Sequence, residues 1–162
     1  MSMRRPFAVA ASAAVGASLL LSTVGSARRT ATNSGAGRWN AVAVPGTFTA
    51  WSSGKPVNVA ITEWSAADTY EAVTSFSCSS GLYTSNKTTI TWNSPSPGGI
   101  GSNTTALRMV ATHEFGHAYG LNHMSTTCNG TKTVMVQGKT KWSCSWGTEP
   151  WQDDINGVDA IY

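Results

Sequence analysis

Three histidines, one glutamate and one glycine stand in the pattern His113-Glu114-x-x-His117-x-x-Gly120-x-x-His123, and they include every histidine of the 162-residue chain. Residues four apart on a helix share a face and lie about one turn apart, so His113 and His117 can aim two imidazoles at one metal ion. Gly120 falls where such a helix must stop, and glycine takes the left-handed conformation that reverses the chain without steric cost. That reversal brings His123 back toward the same ion. Three neutral imidazoles suit Zn²⁺ and leave its fourth position to water, the layout of a catalytic ion. Zinc lowers the pKa of that water. Glu114, beside His113, can reach it without ligating the metal, take its proton and pass it to a leaving amine. A structural zinc site would more typically use four protein ligands with cysteine among them, and no cysteine lies close in sequence to His113 or His117. Cys128 stays open as a fourth ligand.

The elements that position this window can be read from periodicity and turn chemistry. Asn103 or Thr104 caps a helix whose core side carries Ala106, Leu107, Val110 and Ala111, and that helix runs into the motif. Thr88 to Trp92 is β-rich and is ended by Pro95, Pro97, Gly98 and Gly99, which predicts a strand. Pro56 to Thr62 alternates Val57, Val59 and Ile61 on one side, a second strand. Trp39 to Val44, stopped by Pro45-Gly46, predicts a third. Ser65 can cap a helix from Ala66 to about Ser77, with Ala66, Tyr70, Val73 and Phe76 at helical spacing. No internal repeat is visible.

Residues 1–27 read as a signal peptide. Arg4 and Arg5 precede an apolar run from Phe7 to Val24, and Gly25-Ser26-Ala27 supplies the small residues for cleavage after Ala27. A transmembrane anchor is the competing reading; the Ser, Gly and Ala content and the small-residue exit favour secretion. Residues 28–37 are polar and small, as in a linker or a disordered mature N-terminus. Residues 38–162 then form one domain with a single core. Without Arg4 and Arg5, nine basic residues face eight acidic ones, so no basic stripe marks a nucleic-acid partner. Charged residues make up 12% of the chain, about half the usual share. Export permits a disulfide, and Cys128 with Cys144 is the favoured pair because both lie in the segment after the motif. Cys78 is left over and reads as a small buried hydrophobe, since no histidine is free to activate it.

The window from His113 to His123 resembles the signature of the metzincin zinc metallopeptidases. In those proteins a methionine turn follows the third histidine and lies beneath the metal. Met124 is too close to His123 to return under the site, so Met135 in Thr133-Val134-Met135-Val136 is the better match. The stretch Pro150 to Tyr162 resembles the closing helix of the matrixin branch. That likeness implies that Asp153 and Asp154 support the Met-turn and the mature N-terminus; simple capping of a helix start is the plainer reading. The resemblance covers residues 104–162 well and 39–103 loosely. The chain departs from matrixins in several places. Met124 stands where they have Ser, no Tyr-Pro follows Met135, and there is neither a cysteine-switch segment nor an Asp- and Gly-rich loop for structural Ca²⁺. The absence of a tyrosine soon after Met135 argues against the astacin and serralysin branches.

The expectation is therefore an α+β fold, a small metzincin-like catalytic domain with a twisted mixed sheet, an active-site helix, a Met-turn and a C-terminal helix. The expected activity is that of a secreted, monomeric zinc endopeptidase with one catalytic Zn²⁺, a protein or peptide substrate, and no stable membrane association after leader removal. His113, His117 and His123 would hold the metal, Glu114 would be the catalytic residue, and Gly120, Met135, Asp153 and Asp154 would support them. The substrate would lie along Thr88 to Trp92 as an edge strand. Trp142 and Trp146, in the segment after Met135, are candidate pocket walls. Two other readings remain open: a zinc hydrolase of a non-peptide amide, and a secreted zinc-binding module without turnover.

Overall fold

Asn103 opens the helix that carries the motif. In the computed structural model of the chain, its side-chain oxygen accepts hydrogen bonds from the backbone N–H groups of Thr105 and Ala106, both at 3.1 Å. Two of the otherwise unpaired amides of the first turn are thereby satisfied. The helix, α2, runs Thr104–Ala118. The structure describes residues 16–20, 24–50, 59–64, 70–76, 78–79, 82–83, 88–94, 100–138 and 140–162. The other elements are β1 (Gly16–Leu20), α1 (Ser26–Asn40), β2 (Thr47–Ala50), β3 (Val59–Trp64), β4 (Ala72–Ser75), β5 (Cys78–Ser79), β6 (Leu82–Tyr83), β7 (Thr88–Asn93), α3 (Thr140–Ser143) and α4 (Gln152–Ile161).

Five strands form one mixed sheet in the order β2-β1-β3-β7-β4, and β5 pairs with β6 as a separate two-stranded ribbon. The β1–β2, β1–β3 and β3–β7 pairs are parallel, whereas β4 runs antiparallel to β7. The fold is α+β: the mixed sheet packs against α1 and the motif helix α2, and the segment of Met135 and the closing helix α4 follow in the chain. The expected strands at Thr88–Trp92 and Pro56–Thr62 are β7 and β3; residues 56–58 lie outside the described residues.

Three expectations are corrected. Residues 28–37 belong to helix α1, not to a linker. Ala31, Gly35 and Trp39 recur at four-residue spacing and are buried with Thr32 and Ala36, so the helix forms because it has a partner to pack on. That partner is α2. A Cβ on Gly35 would come within 2.7 Å of the Ala111 Cβ and 2.9 Å of the Thr112 nitrogen, so only glycine permits this approach. Trp39 and Asn40 end the same helix, so no strand begins at Trp39. The expected helix over Ala66–Ser77 is replaced by strand β4 at Ala72–Ser75, where Val73 and Thr74 pair with Thr91 and Ile90 of β7. Two adjacent β-branched residues beside an open strand edge outweigh a helical spacing with few members. Residues 65–69 lie outside the described residues.

The core joins all layers. Trp39, Trp92, Phe115 and Val158 are fully buried. Both of these tryptophans place their indole N–H: Trp39 Nε1 donates to the Thr112 carbonyl at 2.8 Å and Trp92 Nε1 to Thr32 Oγ1 at 3.1 Å. Phe48 of β2 lies 4.6 Å from Phe115 and 4.8 Å from Tyr119, centroid to centroid. Such tilted pairs add roughly 0.5–1.5 kcal/mol each beyond their burial. Cys128 and Cys144 form a disulfide, the pair expected from their place in the segment after the motif. Closing a loop of that length constrains the unfolded chain by roughly 3 kcal/mol. The side chain of Cys78 lies outside the described part. Among the described residues, no helix is long and apolar enough to cross a membrane.

Candidate metal centre

Helix α2 presents His113 and His117 one turn apart, and the chain reverses immediately after it. Gly120 has φ +94°, the Gly120 N–H donates to the His117 carbonyl at 2.8 Å, and the Leu121 N–H returns to the Gly116 carbonyl at 3.1 Å. A side-chain-bearing residue at that φ would be strained. The turn delivers His123, whose Nε2 stands 3.2 Å from His113 Nε2 and 3.1 Å from His117 Nε2. The spacing read from the sequence thus becomes one cluster of three imidazoles, grading from buried His113 to exposed His123.

The other ring nitrogens set the tautomers. His113 Nδ1 lies 2.7 Å from the Val134 carbonyl, and His117 Nδ1 lies 2.7 Å from the Leu121 carbonyl. A carbonyl only accepts, so each Nδ1 must carry the proton and each Nε2 must present a lone pair. The Nε2 lone pairs of His113 and His117 then face the same small space, an arrangement that a shared cation relieves. Ligands about 2.0–2.1 Å from one tetrahedral zinc ion stand roughly 3.3 Å apart, close to the spacing seen here. Burial lowers all three histidine pKa values, His113 most of all, and the charge of Lys141 adds to it. The rings are therefore held neutral, the form that ligates. The donor set fits one Zn²⁺.

Met135, 2% exposed, packs its sulfur against Gly116, between the two helical histidines in sequence, so close that a Cβ there would collide with it. Met124 bonds the Met135 carbonyl through its own N–H at 3.0 Å. The turn around Met135 is held by Asp154 at the start of α4. Its carboxylate accepts from Thr133 Oγ1, from the Val134 N–H at 3.0 Å and from the Trp151 N–H at 2.8 Å. Burial raises the Asp154 pKa, and these hydrogen bonds oppose the rise. Asp154 thereby reaches His113 through one residue, since Val134 bonds Asp154 with its N–H and His113 with its carbonyl. Asp153 is exposed, and its place in the first turn of α4 suits the helix dipole.

Glu114 is 4% exposed and sits beside His113. Burial pushes its carboxyl up to about 7, against the pull of its hydrogen bond from Thr74 and of the Lys141 charge. Thr74 Oγ1 donates to Glu114 Oε2 at 2.6 Å. Two residues beside the cluster were not found from sequence. Thr74 lies on β4, in the stretch whose helical spacing concealed it. Lys141 of α3 is buried, donates to the Val136 carbonyl at 2.9 Å, and has its pKa lowered to about 8 by burial. No local motif marks either, because both arrive by long-range packing.

A cleft of about 890 Å³ runs past these groups, bounded by Ala72, Val73 and Thr74 of β4 on one side and by the three histidines and Glu114 on the other. The expected substrate edge at Thr88–Trp92 is corrected here. β7 is paired on both sides, by β3 and β4; of the two strands at the ends of the sheet, β2 and β4, it is β4 that lines the cleft. Trp142 lines the cleft while Trp146 is buried in packing.

No curated protein matches the chain in sequence. The family model described as matrixin matches residues 61–162, more than half of the chain, and spans β4, the motif, the Met-turn and the last helix. With that match and a three-histidine cluster, the chain belongs to the matrixin family of zinc metallopeptidases.

Proposed function

We propose that this chain is a secreted, monomeric endopeptidase that hydrolyses peptide bonds, with His113, His117 and His123 holding one Zn²⁺ and Glu114 moving the proton. The observation that carries this reading is the trio of Nε2 atoms, with that of His123 within 3.2 Å of each of the other two, two of them freed for a metal by carbonyl-bound Nδ1–H groups, beside a buried carboxylate. When bound, zinc supplies a Lewis acid that polarises the scissile carbonyl and acidifies a water.

The chain's own residues do the rest. An extended substrate can add to the free edge of β4, whose backbone groups give hydrogen bonds independent of side-chain identity. Thr74 holds Glu114 Oε2, leaving Oε1 to take a proton from the attacking water. The water oxygen joins the carbonyl carbon, the carbon–nitrogen bond breaks, and Glu114 returns the proton to the departing amine. A carboxyl whose pKa lies near 7 in the metal-free protein is suited to both accepting and giving that proton.

Secretion is supported by the apolar leader over residues 1–27 and by the Cys128–Cys144 disulfide, a bond that persists in oxidising compartments. Cleavage after Ala27 would remove β1, which lies between β2 and β3, so those strands would have to pair directly or leave β3 with an open edge. The sequence of the exported protein's N-terminus checks this point. For the activity, the zinc-loaded chain is incubated with an unfolded protein and the fragments are identified by mass spectrometry. Internal cuts that stop when zinc is chelated are expected. One bound zinc with no cut in any peptide would favour a binding module, and hydrolysis confined to non-peptide amides would favour the other hydrolase.

A further inference from the structure

The cleft does not end at the imidazoles. Along α2 and α3 its lining includes the apolar Ile100, Ala106, Met109, Val110 and Trp142 and one cation besides the imidazoles, Lys141, while Glu71 lines the same cleft. An ammonium in such a place is unusual, because burying an uncompensated charge is costly. Lys141 is 7% exposed and, among the described residues, its one hydrogen bond goes to the Val136 carbonyl. An ammonium has three N–H donors, so two remain. The carboxylates that act on it at a distance are Glu114 and Asp154, and both already have partners of their own, Thr74 for the first and Thr133, Val134 and Trp151 for the second. Zinc at the histidines would add more positive charge to the same cleft.

We propose that Lys141 makes this pocket an acid-selecting subsite, which receives the carboxylate side chain of a glutamate flanking the scissile bond. A glutamate fits the chemistry in two parts: its methylenes meet the apolar walls, and its carboxylate supplies a direct counter-charge and acceptors for the remaining N–H donors. An apolar side chain of similar length would gain the first and leave the ammonium unpaired. This inference rests on the peptidase reading, and it fixes which substrates that site would prefer.

The test is a position-scanning set of peptides carrying Glu, Gln or Leu at each residue around the cut, assayed with the zinc-loaded protein and with Lys141→Met. At one flanking position, Glu is expected to be cut at least about tenfold faster than Gln in kcat/KM, the scale of a charge-assisted hydrogen bond. In Lys141→Met that advantage disappears while Leu peptides are cut at least as well. A purely structural Lys141 would instead slow all peptides alike, and an unchanged Glu preference in the variant would overturn the proposal. Lys141→Gln serves as a second neutral variant. A binding arm needs no turnover: acetyl-glutamate amide should bind at least about tenfold tighter than acetyl-glutamine amide, and only when Lys141 is present. Equal binding, or a Glu advantage that survives Lys141→Met because the carboxylate sits on zinc, overturns the subsite. Peptides left uncut while the binding difference holds would count against the peptidase reading alone.

Discussion

On one side of the site, Thr133, Val134 and Asp154 form a buried, mutually bonded floor around Met135 that reaches His113 through Val134, whereas across the cleft strand β4 offers the site one hydroxyl, that of Thr74. The floor is inseparable from the fold, because the same bonds that place His113 also anchor α4 to the Met-turn. The opposite wall can change without the core noticing, because Thr74 is only half-buried and its side chain bonds Glu114. The contrast predicts where stability and catalysis come apart. Changes to the floor should cost folding and metal together, and changes to the β4 wall should cost turnover alone.

The largest effect is expected at Asp154→Ala. It strands the Val134 and Trp151 amides and the Thr133 hydroxyl, at a cost of roughly 3–5 kcal/mol in unfolding free energy. Zinc affinity should fall with it by roughly 10–100-fold, since Val134 would no longer fix His113. Denaturation and zinc titration of the same variant check both halves; loss of stability with full zinc affinity would break the link. Next comes Gly35→Ala, behind the floor. The new Cβ meets the Ala111 and Thr112 backbone and must push α1 away from α2, for roughly 1–3 kcal/mol. A variant as stable as the parent would show that α1 is not seated on α2. The smallest energy is expected at Thr74→Val, about tenfold in kcat (about 1.4 kcal/mol) with KM, zinc content and melting temperature unchanged. Thr74→Ser should restore the rate. A loss carried by KM, or no rescue by serine, would place Thr74 outside the catalytic geometry.

The floor was also the more legible side in the sequence, for a physical reason. Helix α2 is announced by a cap at Asn103 and by core-facing residues at helical spacing, and its end by Gly120, so the three histidines could be brought together by local rules alone. Met135 and Asp154 followed from no such local rule; only the resemblance to the metzincins and their matrixin branch singled them out. Strand β4 and helix α1 were misread for one shared reason: their conformations are decided by distant partners. Val73 and Thr74 become a strand because β7 has an open side, and residues 28–37 become a helix because Gly35 finds the backbone of α2. Lys141 carried no signal, since a lone lysine in an irregular segment looks like surface until α3 turns it inward.

The most direct test of the account is the substitution Glu114→Gln, read in two assays on one preparation. The account predicts one zinc per chain, as in the parent, together with a loss of peptide cleavage of at least about a hundredfold, because the isosteric amide cannot take the water's proton. Cleavage at the parental rate with zinc in place would contradict it.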